Sequence, residues 1–160
     1  MKLKINDSIP EAKIYILKDG NPKEQSIKET LGSSKVLLFG LPGAYTSTCS
    51  KFHLPGYVKN VKKLKAKGIN KIFCISVNDP HVMNAWGKDQ SVGDDIVMLA
   101  DGNGAFAKSI GLELDGSGFG MGSRSQRYSM IVKDGTVSEL NVEDGGEFKV
   151  SSADYMLNQL

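Results

Sequence analysis

The sequence predicts a single α/β domain in which helices flank a central mixed β-sheet. Two observations support this: apolar runs of strand length alternate with helical segments, and the chain closes with a hairpin and a helix. The near-continuous apolar run at residues 71–77 is typical of a strand covered on both faces. A chain of 160 residues without an internal repeat has the size of one domain, so the predicted domain covers residues 1–160.

The first half of the chain is predicted to contain strands, one turn and a short ordered segment, in the order 12–17 (strand), 18–22 (turn), 26–31 (ordered segment), 36–39 (strand) and 71–77 (strand). A helix from about residue 48 to residue 66 separates the last two strands, because its apolar residues recur at helical spacing. Pro55 lacks an N–H and is expected to kink this helix after its first two turns, and Gly68 is expected to end it.

The second half is predicted to contain further elements in the order 80–88 (helix), 95–99 (strand), 104–110 (short helix), 128–132 and 136–140 (strands) and 152–160 (helix). The turn Lys133-Asp134-Gly135 between the last two strands is a strong hairpin signal, because Asp-Gly suits the backbone conformation of tight hairpin turns. The terminal helix is expected to be capped by Ser152.

Composition and charge exclude several classes of function. Lys and Arg number 20 against 18 Asp and Glu, so the net charge is +2, which gives no case for nucleic-acid binding. The sequence has no membrane-spanning apolar run and no signal peptide. Two distant cysteines do not suggest a secreted disulfide scaffold, so we expect a reducing compartment. The predicted location is the cytoplasm, or the matrix or stroma of an organelle if a transit peptide has been removed.

We expect no cofactor and no metal. His53 and His81 lack ligand spacing with each other and with the cysteines. The Gly-rich segment 116–122 fits neither a dinucleotide-binding motif nor a P-loop, and it is interpreted as a flexible loop. His53 follows Cys49 by four residues and is interpreted as a structural polar group of the helix, with a role as a base as the alternative.

Cys49 is the candidate nucleophile. It lies just beyond the predicted buried strand at residues 36–39, in the first turn of the helix that follows. Unpaired N–H groups and the helix dipole favour an anion there, so a cysteine in this position can ionise below the free value of about 8.5. The alternative is an inert buried thiol, but the small, polar neighbours of Cys49 argue against it.

The residues around Cys49 also resemble a known family. The spacing Pro42-x-x-x-Thr46-x-x-Cys49 matches the peroxidatic motif of peroxiredoxins, and the longer segment 42–50 resembles their type II, or peroxiredoxin-5-like, branch. The resemblance is closest to plant and parasite members that use glutaredoxin, although Tyr45 and Ser47 replace the usual phenylalanine and proline. It extends over almost the whole chain, through the segments 53–56, 74–80, 99–101, 122–127, 141–143 and 145–153.

This resemblance implies a thioredoxin-like fold and a set of site residues. Cys49 would be the peroxidatic cysteine, and Pro42 would shield it. The Thr46 hydroxyl would donate a hydrogen bond to the thiolate and accept one from the peroxide, because a hydroxyl can do both. Arg127, at the start of a predicted strand, would face the sulfur and stabilise the thiolate, with Arg124 as its competitor for this role.

The resemblance further implies a thiol-specific peroxidase that reduces hydrogen peroxide and alkyl hydroperoxides. Cys74 lies in the middle of an apolar strand and is interpreted as a core thiol. Animal relatives carry a resolving cysteine in the C-terminal segment, where this chain has Ser151 and Ser152. The oxidised Cys49 is therefore expected to need an external thiol, from glutathione with glutaredoxin or from thioredoxin. The family also implies a homodimer.

Two other functions are compatible with the residues alone. A dithiol-disulfide oxidoreductase of the thioredoxin fold would need Cys-x-x-Cys, and Thr46 stands where its first cysteine would be. A redox-inert binding or chaperone module would leave Cys49 unreactive. Rapid reaction of a single thiol with peroxide separates the peroxidase from the inert module.

Overall fold

The computed structural model of the protein describes residues 2–160, which form a mixed seven-stranded sheet, five α-helices and a small two-stranded sheet. The strands are β1 (Lys13–Lys18), β2 (Asn21–Ser26), β3 (Lys35–Leu41), β4 (Lys71–Ser76), β5 (Ile96–Ala100), β6 (Glu113–Asp115), β7 (Ser123–Ser125), β8 (Tyr128–Lys133) and β9 (Thr136–Val142). The helices are α1 (Ile27–Leu31), α2 (Leu54–Ala66), α3 (Pro80–Asp89), α4 (Ala105–Ser109) and α5 (Ala153–Gln159). Within residues 2–160, no helix has the length and apolar character needed to cross a membrane.

The large sheet has the strand order β2-β1-β5-β4-β3-β8-β9. Its centre is parallel, since β4 pairs in parallel with both β3 and β5, and the remaining neighbours are antiparallel. The carboxyl ends of parallel strands meet at one edge of a sheet, and ligand sites of α/β folds form outside that edge. The segments that follow β3, β4 and β5 are therefore brought together.

Helices cover the large sheet on both faces, as predicted for its apolar central strands. Along β3, Leu37 and Phe39 pack on the face covered by α2, α3 and α5, and Val36 and Leu38 pack on the face covered by α1 and α4. This alternation follows from the period of two in a strand. The predicted α/β sandwich with a central mixed sheet is confirmed.

Strand β2 was not predicted, and part of it lies in the segment expected to be a turn. The turn itself is only Asp19 and Gly20, whose φ values of 52° and 81° are the positive angles that a tight hairpin needs. Strand β2 then pairs antiparallel with β1 along its whole length. It is an edge strand with a largely exposed, polar sequence, so no apolar alternation marks it.

Residues 47–66 are helical without a break, which agrees with the helix predicted from about residue 48 to residue 66, but the predicted kink at Pro55 is corrected. The chain forms a π-helical turn at Cys49–His53, closed by a bond from the Leu54 N–H to the Cys49 carbonyl, and α2 begins only after it. Pro55 then lies in the first turn of α2, where a missing N–H costs no helical hydrogen bond. The irregularity therefore falls on the turn that carries Cys49, as π-helical turns often do at functional sites.

Candidate active site

Cys49 lies at the carboxyl edge of the sheet, beyond the end of β3 and at the start of the π-helical turn. Its side chain is fully buried. Between strand and turn, the loop reverses at Tyr45, a non-glycine residue with a φ of 63° whose hydroxyl donates to the Asp89 carboxylate at 2.6 Å. This hydrogen bond connects the loop that precedes Cys49 to the end of α3.

Arg127 faces the sulfur, as the resemblance implies. It directly precedes β8, which is antiparallel to β3, so it reaches the site from the neighbouring strand. Its Nη2 donates to Cys49 Sγ at 3.2 Å, and its Nη1 contacts His53 Nδ1 at 2.9 Å. Arg127 is 7% exposed as a residue, so its charge acts on the sulfur in a poorly hydrated environment where electrostatic interactions are strong.

His53 is held by hydrogen bonds at both ring nitrogens. Its Nε2 lies 3.1 Å from the carbonyl oxygen of Ser151, which can only accept, so Nε2 must carry the proton. Nδ1 is then a lone-pair acceptor for the Arg127 N–H. Burial, and after it the charge of Arg127, lowers the pKa of His53 to about 3, so the ring is neutral at physiological pH. This favours the structural interpretation of His53 over a base.

Thr46 lies in the loop as predicted, but its hydroxyl is oriented differently from the expectation. It donates to the Gly43 carbonyl at 2.7 Å rather than to the sulfur. The hydroxyl proton of Thr46 is engaged by the Gly43 carbonyl, while the lone pairs of the hydroxyl oxygen can still accept a hydrogen bond from a ligand. The expected double role of Thr46 is thus reduced, in this structure, to that of an acceptor.

The second arginine, Arg124, supports the loop from another side. Its Nη1 donates to the Pro42 carbonyl at 3.3 Å, and its Nε donates to the Met121 carbonyl at 2.9 Å. A Cβ atom on Gly43 would lie 2.8 Å from Arg124 Nη1, so the close approach depends on glycine. Arg124 therefore fixes the backbone around Pro42 and links it to the loop between β6 and β7, whereas Arg127 contacts the sulfur.

Asn78 contacts the loop that leads to Cys49, although the sequence alone did not single it out. Its Oδ1 accepts from the Ala44 N–H at 2.9 Å and from the Ser76 hydroxyl at 2.6 Å. It follows β4, the parallel neighbour of β3, so its side chain reaches the loop after β3 at the shared edge. Its position directly after a buried strand was the signal that could have identified it.

Helix α3 holds the π-helical turn at Ser50, next to Cys49. The indole N–H of Trp86 donates to the Ser50 hydroxyl at 3.1 Å, and the Gln90 amide donates to the Ser50 carbonyl at 3.2 Å. Trp86 is fully buried. These side-chain bonds satisfy polar groups that an irregular turn would otherwise leave unpaired.

Cys74 lies in the middle of β4, with Phe39 and Met98 as its neighbours across the sheet. It is fully buried and belongs to the same hydrophobic cluster as Cys49. Burial, followed by the neighbouring charge of Cys49, raises the pKa of the Cys74 thiol well above its ordinary value. The interpretation of Cys74 as a core thiol agrees with this environment.

Nothing in residues 2–160 groups three or more His, Cys, Asp or Glu side chains as a metal site would. The residues that the structure brings together are Cys49, the adjacent guanidinium of Arg127 and the polar groups of the loop at Thr46. A buried cysteine at a strand-to-helix junction, facing an arginine in an α/β sandwich, defines a cysteine-based redox protein.

Comparison with known proteins narrows this class. A model of the redoxin family matches residues 4–157. Peroxiredoxin-2B of Arabidopsis thaliana is 42% identical over 157 residues, which cover 98% of this chain and 97% of that protein. Peroxiredoxin-2E, chloroplastic, of the same plant is 42% identical over 162 residues, which cover 99% of this chain and 69% of that protein. A crystal structure of reduced Prx3 in complex with hydrogen peroxide from Vibrio vulnificus has a TM-score of 0.93 and 44% identity, covering 98% of both chains.

The chain belongs to the redoxin family and is a peroxiredoxin similar to the type II members of plants. It is a thiol peroxidase of thioredoxin-like fold, an oxidoreductase that acts on peroxides. The predictions of family, fold and peroxidase activity are confirmed, and the two alternative functions are set aside.

Proposed function

We propose that Cys49 is the peroxidatic nucleophile and that Arg127, Thr46 and Pro42 complete the site. The observation that supports this most directly is the 3.2 Å contact between Arg127 Nη2 and Cys49 Sγ. The Cys49 thiolate attacks one oxygen of the peroxide, and an S–O bond forms as the O–O bond breaks. The other oxygen leaves as water or as an alcohol once it takes up a proton, and the sulfur becomes a sulfenic acid.

Each neighbour has a distinct part in this step. Arg127 stabilises the thiolate and donates to the oxygens on which negative charge develops. Thr46 accepts a hydrogen bond from the peroxide O–H, since its own proton is engaged with Gly43. Pro42 limits access of water to the sulfur, and its carbonyl is held in place by Arg124. Hydrogen peroxide and alkyl hydroperoxides share the O–O bond that this site addresses.

We assign the reduction of the sulfenic acid to an external thiol, with glutathione and glutaredoxin favoured over thioredoxin. The favoured route has glutathione attack the sulfur of Cys49 to release water and leave a mixed disulfide, which a second thiol reduces. Cys74 is held in the centre of the sheet, and the C-terminal segment, where animal relatives have a resolving cysteine, carries Ser151 and Ser152. Because Cys49 is also buried, a molecule as large as glutathione reaches it only when the π-helical turn opens.

A homodimer and a reducing compartment complete the proposal. Three of the exposed large apolar side chains belong to segments next to the site, namely Tyr45 in the loop, Phe52 in the π-helical turn and Phe119 between β6 and β7. Exposed aromatic side chains of this kind are enriched at protein interfaces. The cytoplasm, or the matrix or stroma of an organelle, contains the glutathione that the cycle consumes.

The reductant is tested by mass spectrometry after one equivalent of peroxide and then excess glutathione. We expect one glutathione adduct per chain, mapped to Cys49, which glutaredoxin removes. The matched control is Cys74→Ser, which should give the same adduct. A Cys49–Cys74 disulfide formed at the rate of turnover would overturn the external-thiol cycle, because it would make Cys74 the resolving thiol.

A further inference from the structure

Behind the site, a chain of hydrogen bonds leads from the guanidinium to the buried carboxylate of Glu143, which lies at the same edge of the sheet as Arg127 and donates its backbone N–H to the Arg127 carbonyl at 2.9 Å. Glu143 directly follows β9 and is 4% exposed. Within residues 2–160 no lysine or arginine lies within ion-pair distance of it. Its charge is instead satisfied by donors of one short segment: the N–H groups of Lys149, Val150 and Ser151 at 2.8–2.9 Å, and the Ser151 hydroxyl at 2.6 Å.

The segment that Glu143 holds lacks regular secondary structure. Residues 143–152 lie between β9 and α5 without helix or strand, and after the Glu143 N–H, which donates to the Arg127 carbonyl, the Glu143 carboxylate holds the segment. Burial alone would raise the pKa of Glu143, but the hydrogen bonds from Ser151, Lys149 and Val150 outweigh it, and the pKa lies below its ordinary value. The carboxylate is thus ionised, and it is the element that fixes the backbone of this segment.

The same segment supplies the partner of His53. The Ser151 carbonyl accepts from His53 Nε2 at 3.1 Å and from the Tyr57 hydroxyl at 2.8 Å. Phe148, three residues earlier, has its ring centroid 5.2 Å from that of His53 and 5.8 Å from the central carbon of the Arg127 guanidinium. The position of this backbone therefore decides what His53 and Arg127 touch.

We propose that Glu143 is a positioning residue of the peroxidase reaction, acting on Arg127 through Ser151 and His53. The inference rests on the proposed function of Cys49 and Arg127. The Ser151 carbonyl keeps the proton of His53 on Nε2, which leaves Nδ1 free to accept from Arg127 Nη1. Nη2 then points at the sulfur. If the segment shifted, the ring could take the other tautomer, and its Nδ1–H would oppose the guanidinium N–H.

Glu143 would also be important for stability if it only anchored α5. The test must therefore distinguish a role in positioning Arg127 from a role in anchoring α5. The variant is Glu143→Gln, which presents an amide N–H₂ to a cluster of donors. Its matched control is Glu147→Gln, the same change at an exposed residue of the same segment. A second variant, Ser151→Ala, removes one donor but keeps the N–H and the carbonyl, so it should fold where Glu143→Gln is fragile.

Two readouts on the folded proteins test the inference. In nitrogen NMR of the His53 ring, wild type and Glu147→Gln should show one tautomer with the proton on Nε2, and Glu143→Gln should show a mixture. The rate constant of Cys49 with peroxide should fall about ten- to hundredfold in Glu143→Gln, the cost of a misplaced reacting group. Ser151→Ala should change both readouts in the same direction and by less.

The Arg127→Met background completes the experiment, because Glu143 acts on the rate only through Arg127. Adding Glu143→Gln to Arg127→Met should slow the reaction by less than about twofold. Equal slowing in both backgrounds, or a wild-type rate and a single tautomer in folded Glu143→Gln, would overturn the inference alone. An Arg127→Met variant as fast as wild type would overturn the proposed role of Arg127, and this inference with it.

Discussion

The two cysteines occupy the same hydrophobic cluster and are both fully buried, but they differ in their backbone setting and in the groups that contact the sulfur. Cys49 begins an irregular helical turn and accepts a hydrogen bond from a buried guanidinium. Cys74 is held in mid-strand between Phe39 and Met98. If Cys49 is the nucleophile, as proposed, burial does not by itself make a thiol inert, because a charged donor at the sulfur stabilises the thiolate.

The expected difference in reactivity between Cys49 and Cys74 is tested most severely by replacing each thiol in turn. Cys49→Ser is expected to abolish peroxide reduction, because a serine hydroxyl is not ionised at neutral pH and cannot replace the thiolate. Cys74→Ser is expected to keep the oxidation step within about threefold, since Cys74 is packed in mid-strand between Phe39 and Met98 and the change mainly affects core packing. Stopped-flow measurement of hydrogen peroxide consumption by the two variants checks both expectations. Rapid turnover in Cys49→Ser would falsify the assignment.

The next largest effect should come from the two arginines. Arg127→Met is expected to slow the reaction of Cys49 with peroxide about 10²- to 10³-fold, the usual cost of losing a donor to developing negative charge. Arg124→Met should cost less than about tenfold, because Arg124 contacts the Pro42 carbonyl and not the sulfur. The measurement is the second-order rate constant of each purified variant. A larger loss in Arg124→Met would show that the loop backbone matters more than the guanidinium at the sulfur.

The pH dependence of folding stability tests the polar surroundings of Cys49, because they include the buried His53. The pKa of His53 is about 3 in the folded protein and about 6.5 when unfolded. Its contribution to stability is therefore fully present above about pH 6.5 and is lost as the pH falls toward 3. Between pH 7 and pH 5 the free energy of unfolding should drop by about 2 kcal/mol.

Urea unfolding at pH 7 and pH 5 measures this drop, with His53→Gln as the control. Glutamine is neutral and can both donate to the Ser151 carbonyl and accept from Arg127, so most of the pH dependence in this window should disappear. An unchanged drop in His53→Gln would mean that other groups cause it.

Among the residues proposed to contact the sulfur or the peroxide, Thr46 should have the smallest effect. Thr46→Val keeps the shape but removes the hydroxyl, and we expect about a tenfold slower reaction with peroxide because an acceptor for the substrate is lost. Thr46→Ser retains the hydroxyl and should stay within about threefold of wild type. The measurement is the rate constant of each variant, first with hydrogen peroxide and then with an alkyl hydroperoxide. Equal rates for Val and Ser would show that the hydroxyl serves only the turn with Gly43.

The parts of the fold that could be predicted are those with a local signal. The central strands are continuous apolar runs, and Cys49, Thr46 and Pro42 stand in one motif directly after such a run. Arg127 was placed by resemblance, and its position beside β8 explains why it reaches the sulfur. In these cases the position of the residue in the fold is determined by the sequence around it or by the strand beside it.

The parts that could not be predicted depend on partners far away in the chain. The π-helical turn is held by Trp86 and Gln90 at Ser50, and the loop by Asn78, none of which is close to Cys49 in sequence. The polar edge strand β2 has no apolar pattern to mark it. The orientation of the Thr46 hydroxyl depends on which acceptor lies nearest, and only three-dimensional structure shows that this is Gly43.

The central claim is that the contact with Arg127, and not burial, makes Cys49 the reacting thiol. It is tested most directly by adding one equivalent of hydrogen peroxide without any reductant, trapping sulfenic acid and mapping it by mass spectrometry. We predict that the oxygen is found on Cys49 and that Cys74 stays reduced in wild type. In Arg127→Met, oxidation at Cys49 should be slow and should no longer be selective over Cys74. Oxygen on Cys74 in the wild-type chain, or undiminished selectivity in Arg127→Met, would contradict the account.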